Sequence, residues 1–204
     1  MKKVEPIRDK EKIKEIKKIL KKKSYRNYMI FVLGINTGLR IGDLLSLKVE
    51  DVKNNTHIII KEQKTSKNKQ FLINANLRKE INDYIAGMND HEHLFQSRIG
   101  NNKPLSRFQA YRILSSAGKK AGLERIACHS TRKTFGYHHY KRYKDVALLQ
   151  KLFNHSSPAI TLDYIGITQD IIDDSIEDFN LWYRIKINKE VLLLTKLQVN
   201  KKNY

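Results

Sequence analysis

The sequence contains a single cysteine, Cys128, so no disulfide can form within the chain and a cysteine-rich zinc site is excluded. It shows no other cluster of metal ligands. Long apolar runs are missing from Met1 to Lys23, where lysines alternate with isolated apolar residues. That pattern is not typical of a signal peptide or a membrane span. We therefore expect an intracellular protein that uses no metal or cofactor and has no membrane partner.

Acidic residues are scarce relative to basic ones. There are 40 Lys and Arg residues against 21 Asp and Glu, which gives a formal net charge of +19. This excess favours an anionic polymer as the partner, although charge alone does not separate DNA, RNA and acidic membrane surfaces. A chain of 204 residues can bury a core and should form one domain, or one domain with a small appendage.

The hydrophobic pattern predicts a mostly helical domain with a small antiparallel β-sheet, an α+β fold. Residues 57–60 and 70–73 should form a hairpin with a lysine-rich turn, because both runs are rich in β-formers. A short apolar piece at 93–95 could add an edge strand. Asp145 and the pair Ser157-Pro158 are typical helix starts. Apolar spacing predicts helices near 11–20, 25–35, 41–47, 77–85, 108–117, 130–143 and 146–152, and another that carries Tyr164.

Six residues suited to phosphate chemistry follow one another in a distinctive order. Each of them is unremarkable by itself, since a lone arginine or histidine is usually structural. Their order and local contexts set them apart. These are Arg40 in Thr37-Gly38-Leu39-Arg40, Lys64 in the hairpin turn, His129 and Arg132 at a helix start, His155 after a helix end, and Tyr164 nine residues later.

In this order and context the chain resembles the tyrosine recombinase family, of the phage-integrase type, over about residues 25–178. The resemblance implies that family's catalytic-domain fold and a site-specific DNA recombinase of the bacterial cytoplasm. Such an enzyme cleaves and rejoins duplex DNA through a 3′-phosphotyrosine, without metal or ATP. The resemblance also implies a tetramer assembled on DNA, with accessory DNA-bending or directionality proteins as possible further partners.

The resemblance assigns a role to each of the catalytic residues. Tyr164 is the nucleophile, and its phenol must lose a proton during attack, which a basic pocket favours. Arg40 and Arg132 hold the phosphate through forked donors that stay charged at any working pH. His129 assists proton transfer at the tyrosine, and His155 donates a hydrogen bond to the same phosphate.

Lys64 is assigned as the acid that protonates the leaving 5′ oxygen, with Lys61, Lys67 and Lys69 as rivals in the same hairpin. The Gln63-Lys64-Thr65 context favours Lys64. The other basic residues are expected to contact DNA phosphates. They are Lys61, Lys67, Lys69, Lys133, Lys141, Arg142 and Lys144.

The chain departs from the family in several places. Asn154 precedes His155 where the family often has glycine, and Lys133 follows Arg132 where it often has histidine. We expect a basic helical extension at 1–24, the catalytic domain at 25–180 and a tail at 181–204 that packs in cis or on a neighbouring protomer. The N-terminal DNA clamp usual in the family is absent, which suggests a minimal recombinase or a catalytic fragment.

Two other functions remain open at this point. A DNA-binding regulator on the same fold would need no tyrosine at this position. A type IB topoisomerase-like enzyme would relax supercoiled plasmid as a monomer, without a partner site.

Overall fold

The computed structural model describes residues 4–61, 68–167, 169–177 and 179. Within these residues it contains nine α-helices, a 3-10 turn at Val49–Asp51 and a two-stranded antiparallel sheet, which confirms the α+β fold. The strands are β1 (His57–Lys61) and β2 (Asn68–Leu72). The helices are α1 (Lys10–Lys23), α2 (Tyr25–Thr37), α3 (Ile41–Leu45), α4 (Ala75–Ile85), α5 (Arg107–Lys120), α6 (Cys128–Tyr143), α7 (Val146–Phe153), α8 (Pro158–Ile165) and α9 (Gln169–Glu177).

The core is built around α2. Its residues from Asn27 to Gly34 are buried, as expected for a helix that is apolar on nearly all sides. It packs against α1, α4, α5 and α6. A Cβ at Gly34 would lie 2.8 Å from the Cβ of Thr131, so glycine is what allows α6 to approach α2 closely.

The basic N-terminal segment packs on this core. Ile16 and Leu20 of α1 are buried, and the helix contacts α2 and α5. Before α1, the amide of Ile7 donates a 2.8 Å hydrogen bond to the hydroxyl of Thr134. The carbonyl of Ile7 lies 3.0 Å from Nε2 of His138. The chain up to Ile167 is therefore one compact unit that includes the N-terminal helix.

The hairpin forms as predicted, with His57 paired to Leu72 and Lys61 paired to Asn68. Its turn, residues 62–67, lies outside the described residues. The edge strand expected at 93–95 is wrong: in the described part of the chain the sheet has two strands, and His93 forms only an isolated bridge with Lys48. The apolar side chains of this piece are completely buried, so their hydrophobicity reflects core packing.

Both helix starts predicted from capping residues are confirmed. Asp145 accepts a hydrogen bond from the amide of Leu148, and Ser157 accepts one from the amide of Ile160. Ser24 occupies the N-cap position of α2, but among its described contacts the side chain makes no capping bond. The caps fix where α7 and α8 begin, and both helices lead into the site described below.

Beyond Ile167 the chain forms a second unit, of which α9 is the described helix. Ile172, Ile176 and Phe179 are exposed there. The tail expected at 181–204 lies outside the described residues.

Candidate active site

The turn that carries Arg40 is fixed by its neighbours. Gly38 ends α2 in the left-handed conformation, with φ of 65°, and a Cβ there would lie 2.5 Å from the ring of Phe135. Both the conformation and the space demand glycine. The hydroxyl of Thr37 donates to the carbonyl of Leu33 at 2.8 Å. Arg40 follows in extended conformation at the N-cap of α3, half-buried.

Arg132 lies in α6 and is only 3% exposed. Its Nη1 donates to the carbonyl of Gly38 at 2.5 Å, and its Nη2 donates to the carbonyl of Phe153 at 3.1 Å. Both carbonyls end helices, α2 and α7, where backbone acceptors lack partners and the helix dipole favours a cation. The guanidinium also stacks 4.3 Å from the ring centroid of Phe153. These contacts orient Arg132 before any substrate arrives.

His155 enters the same place from the end of α7. Asn154 is in the left-handed conformation, with φ of 55°, which asparagine tolerates better than most residues. The substitution of asparagine for the family's glycine therefore preserves the turn. Burial lowers the pKa of His155, and the nearby charges of Arg132, Arg40 and Lys69 lower it further.

Tyr164 lies on the last turn of α8 and faces these cations. Its ring stands edge-on to His155, with centroids 5.0 Å apart, and to Phe153 at 5.6 Å. Arg132 lies close enough to Tyr164 to act on the pKa of its phenol. Burial raises the pKa of the phenol, while Arg132 and Arg40 act in the opposite direction without cancelling the increase. The basic pocket expected to ease deprotonation is present, but desolvation outweighs it in the free protein.

His129 is the second residue of α6 and is exposed. It lies three residues before Arg132, so both side chains lie on one side of the helix start. The helix N-terminus adds its own attraction for an anion there.

Lys133, which we expected among the DNA-contacting cations, is only 6% exposed. Its ammonium lies 5.0 Å from the centroid of the Tyr164 ring. It therefore supports the aromatic ring from below the surface, through a cation–π contact.

The hairpin lysines have three different placements. Lys61 is exposed at the end of β1. Lys64 and Lys67 lie outside the described residues, so their roles remain predictions. Lys69 belongs to β2 and not to the turn, and its ammonium donates to the carbonyl of Leu152 at the end of α7. Lys69 thus ties the sheet to the helix that ends beside His155.

The other basic residues expected to contact DNA, Lys141, Arg142 and Lys144, are exposed at the end of α6. That position also suits the negative end of the helix dipole. Their contact with DNA remains a prediction.

Sequence reasoning missed two residues that shape the site. A Cβ at Gly136 would lie 2.6 Å from Ile165 and 2.7 Å from Phe153, so this glycine allows α6 to pack tightly against α7 and α8. A glycine inside a helical pattern was the available signal. Thr161 is completely buried one turn before Tyr164 and contacts His155, and a lone threonine gave no comparable signal.

The structure thus brings together four of the six predicted catalytic side chains, those of Arg40, Arg132, His155 and Tyr164. Two guanidinium groups, an imidazole and a phenol lie close together beside the ends of α2 and α7. Such an arrangement can bind one phosphate and present a nucleophile to it. In the described part of the chain no group of three or more His, Cys, Asp or Glu residues could hold a metal ion, and none of the helices described there is long and apolar enough to cross a membrane.

Comparison with known proteins gives consistent matches. The model of the phage integrase family matches residues 8–170. The probable integrase/recombinase YoeC of Bacillus subtilis (strain 168) is 51% identical over 167 residues, which cover 82% of this chain and 92% of YoeC. Tyrosine recombinase XerA of Pyrococcus furiosus is 30% identical over 174 residues, covering 84% of this chain but only 60% of XerA.

Solved structures show the same fold. The crystal structure of XerA recombinase has a TM-score of 0.70 at 21% identity, covering 90% of this chain and 66% of that one. A lambda integrase fragment, solved as a dimer bound to a core site, has a TM-score of 0.63 at 18% identity and covers 92% of this chain and 65% of its own.

Proposed function

The chain belongs to the phage integrase family of tyrosine recombinases, and we propose that it is a site-specific recombinase that cleaves and rejoins duplex DNA through Tyr164. The observation that carries this proposal is the grouping of Tyr164, His155 and Arg132 inside one protomer: the Tyr164 ring lies 5.0 Å from that of His155, and Arg132 lies close enough to both residues to lower their pKa values. A phenol held against a phosphate-binding arginine is already in position for attack. The net charge of +19 supports duplex DNA as the substrate.

Five of the six predicted catalytic residues have a step in the proposed cleavage reaction. The phenolic oxygen attacks the scissile phosphorus, the bond to the 5′ oxygen breaks, and a 3′-phosphotyrosine forms. Arg40 and Arg132 neutralise the charge that builds on the non-bridging oxygens. The phenol's proton passes to His129, and the departing 5′ oxygen receives a proton from Lys64.

The raised pKa of Tyr164 has a consequence for this scheme. A half-buried, protonated phenol does not attack phosphates indiscriminately, because the nucleophile forms only when a base accepts its proton. The phosphotyrosine keeps the energy of the broken bond, so the 5′ hydroxyl of another strand can reverse the reaction without ATP. This reversal is the basis of strand exchange. We propose that exchange occurs in a tetramer on two DNA sites.

Cleavage should occur in cis. Tyr164 reaches Arg132 from α8, which packs on α6 and α7 of the same protomer. Mixing Tyr164→Phe protein with Arg132→Ala protein tests this directly. In cis, neither protein can make an adduct and the mixture stays inactive, whereas a tyrosine donated between protomers would restore activity.

The proposed function is tested with nicked duplexes whose central sequence is randomised, so that no target site needs to be known in advance. A nick beside the cleavage position releases a short fragment and traps the enzyme on DNA. We expect an adduct that resists denaturant, with one selected sequence enriched. Tyr164→Phe should abolish the adduct and leave DNA binding nearly intact, because only the hydroxyl is removed.

The other outcomes separate the competing functions. Binding of a selected sequence without any adduct would contradict the proposal and favour a DNA-binding regulator. Relaxation of supercoiled plasmid by monomers, without sequence selection, would favour a topoisomerase-like enzyme.

A further inference from the structure

The hydroxyl of Thr161 lies between two groups that compete for its proton. Its oxygen is 3.1 Å from Nδ1 of His155 and 3.1 Å from the carbonyl oxygen of Ser157. A hydroxyl has one proton and donates in one direction only. Thr161 is completely buried, so its hydroxyl must find its hydrogen bonds within the protein, while the carbonyl of Ser157 also accepts from the amide of Thr161 at 3.3 Å.

With a neutral imidazole, only one arrangement of protons makes both contacts of the Thr161 hydroxyl hydrogen bonds. The carbonyl of Ser157 has no proton to give, and two oxygens 3.1 Å apart repel each other unless a proton lies between them. The Thr161 hydroxyl must therefore donate to Ser157. Its oxygen then accepts from His155, which requires the ring proton on Nδ1.

This placement decides what the other ring nitrogen can do. A neutral imidazole with its proton on Nδ1 presents a lone pair at Nε2. Phosphate oxygens are also acceptors, so a neutral His155 in this tautomer cannot donate to a phosphate. It can do so only after it gains a second proton.

We propose that Thr161 is a positioning residue that holds the Nδ1 proton of His155, so that His155 contacts the scissile phosphate only as an imidazolium and DNA binding takes up a proton at this ring. The inference rests on the proposed function, which supplies the phosphate. It adds a role for Thr161 and the uptake of a proton at His155, neither of which the proposed function specifies.

The charges around the ring favour such uptake. The groups that face His155 are Arg132 from α6, Arg40 from the turn before α3, Lys69 from β2 and the phenol of Tyr164 from α8. Burial and the three cations lower the pKa of His155 in the free protein. A bound phosphodiester brings a negative charge and raises the pKa again.

The sign of the pH effect follows. In the free protein His155 is neutral above its lowered pKa, and in the complex it stays protonated up to a higher pKa. Between these two values affinity for DNA falls as pH rises. The affinity stops falling at the pH where breaking the His155–Thr161 hydrogen bond and moving the ring proton to Nε2 costs less free energy than taking up a second proton. We therefore expect the affinity for DNA to fall by a total factor on the order of ten.

The first test reads the tautomer in the free protein, which does not depend on recombination. Two-bond proton–nitrogen NMR spectra of the 15N-labelled full chain report which ring nitrogen carries the proton, and His155→Gln identifies the signal. We expect the proton on Nδ1 in the wild type and in Thr161→Ser, which keeps the hydroxyl. Thr161→Val should move it to Nε2. A wild-type ring protonated on Nε2 would overturn the proposal.

The second test measures the proton itself. Calorimetry of the binding of a short random-sequence duplex, repeated in buffers of different ionisation enthalpy, gives the number of protons taken up on binding. Every protein in this test carries Tyr164→Phe, which prevents cleavage of the DNA. We expect uptake of about one proton, retained with Thr161→Ser and lost with Thr161→Val. Equal uptake in both variants would contradict the role of Thr161. A failed recombinase function would appear instead as a missing adduct in the trapping assay.

Discussion

Replacing Arg132 with alanine should cost the protein stability as well as catalysis. Its guanidinium donates to the buried carbonyls of Gly38 and Phe153, at 2.5 and 3.1 Å. Each buried acceptor left without a donor costs about 1–3 kcal/mol, and the lost stacking on Phe153 adds about 0.5–2 kcal/mol. Water that enters the vacated space hydrates part of these groups. We therefore expect a loss of about 2–4 kcal/mol in the free energy of unfolding.

Urea unfolding followed by circular dichroism measures this loss. With a slope of about 2 kcal/mol per molar urea, the midpoint should fall by about 1–2 M. Arg132→Lys should fall between the wild type and the alanine variant, because one ammonium cannot reach both carbonyls. Tyr164→Phe is the matched control: it alters the same site without removing these bonds, and its midpoint should move by less than about 0.5 M.

The covalent adduct provides the second readout. Loss of a transition-state donor costs about two to three orders of magnitude in rate, so Arg132→Ala should form adduct far more slowly even where it is fully folded. If the midpoint of Arg132→Ala moved no further than that of Tyr164→Phe, the structural role argued for Arg132 would be refuted. A catalytic role alone would then remain.

Two further predictions concern residues around the site. Gly136→Ala should lower the free energy of unfolding by about 1–3 kcal/mol and slow adduct formation, because the new Cβ would lie 2.6 Å from Ile165 on the helix of Tyr164. Thermal unfolding measures the first effect and the trapping assay measures the second. A variant that behaves like the wild type in both would contradict the close approach of α6 to α8. Lys69→Met should raise the pKa of His155, since Lys69 is one of the cations that lower it; an NMR titration measures the pKa, and Lys61→Met, an exposed control, should leave it unchanged.

Local sequence patterns predicted the framework of the site well. Two short runs rich in β-formers predicted the hairpin, and short-range capping signals at Asp145 and Ser157 placed the starts of α7 and α8. The Thr37-Gly38 turn was readable because a helix end in left-handed conformation needs glycine. These features depend on residues close in sequence, where spacing and side-chain chemistry decide the structure.

Features that depend on distant contacts could not be predicted in this way. Lys133 is as polar as its neighbours, and only the packing of α8 over α6 shows that it lies beneath Tyr164. The apolar piece at 93–95 looked like a strand because a fully buried loop and a strand share the same composition. The bonds of Arg132 join residues 94 and 21 positions away, so no local pattern reveals them.

The double attachment of Arg132 bears on how this protein could lose its activity. A chain under no pressure to recombine DNA would still unfold more readily without that guanidinium, so selection for a folded protein would retain it. The hydroxyl of Tyr164 has no comparable structural duty and could disappear early. In a degenerate copy of this protein, a phenylalanine at position 164 beside an intact Arg132 would indicate an enzyme that has lost catalysis and kept its fold.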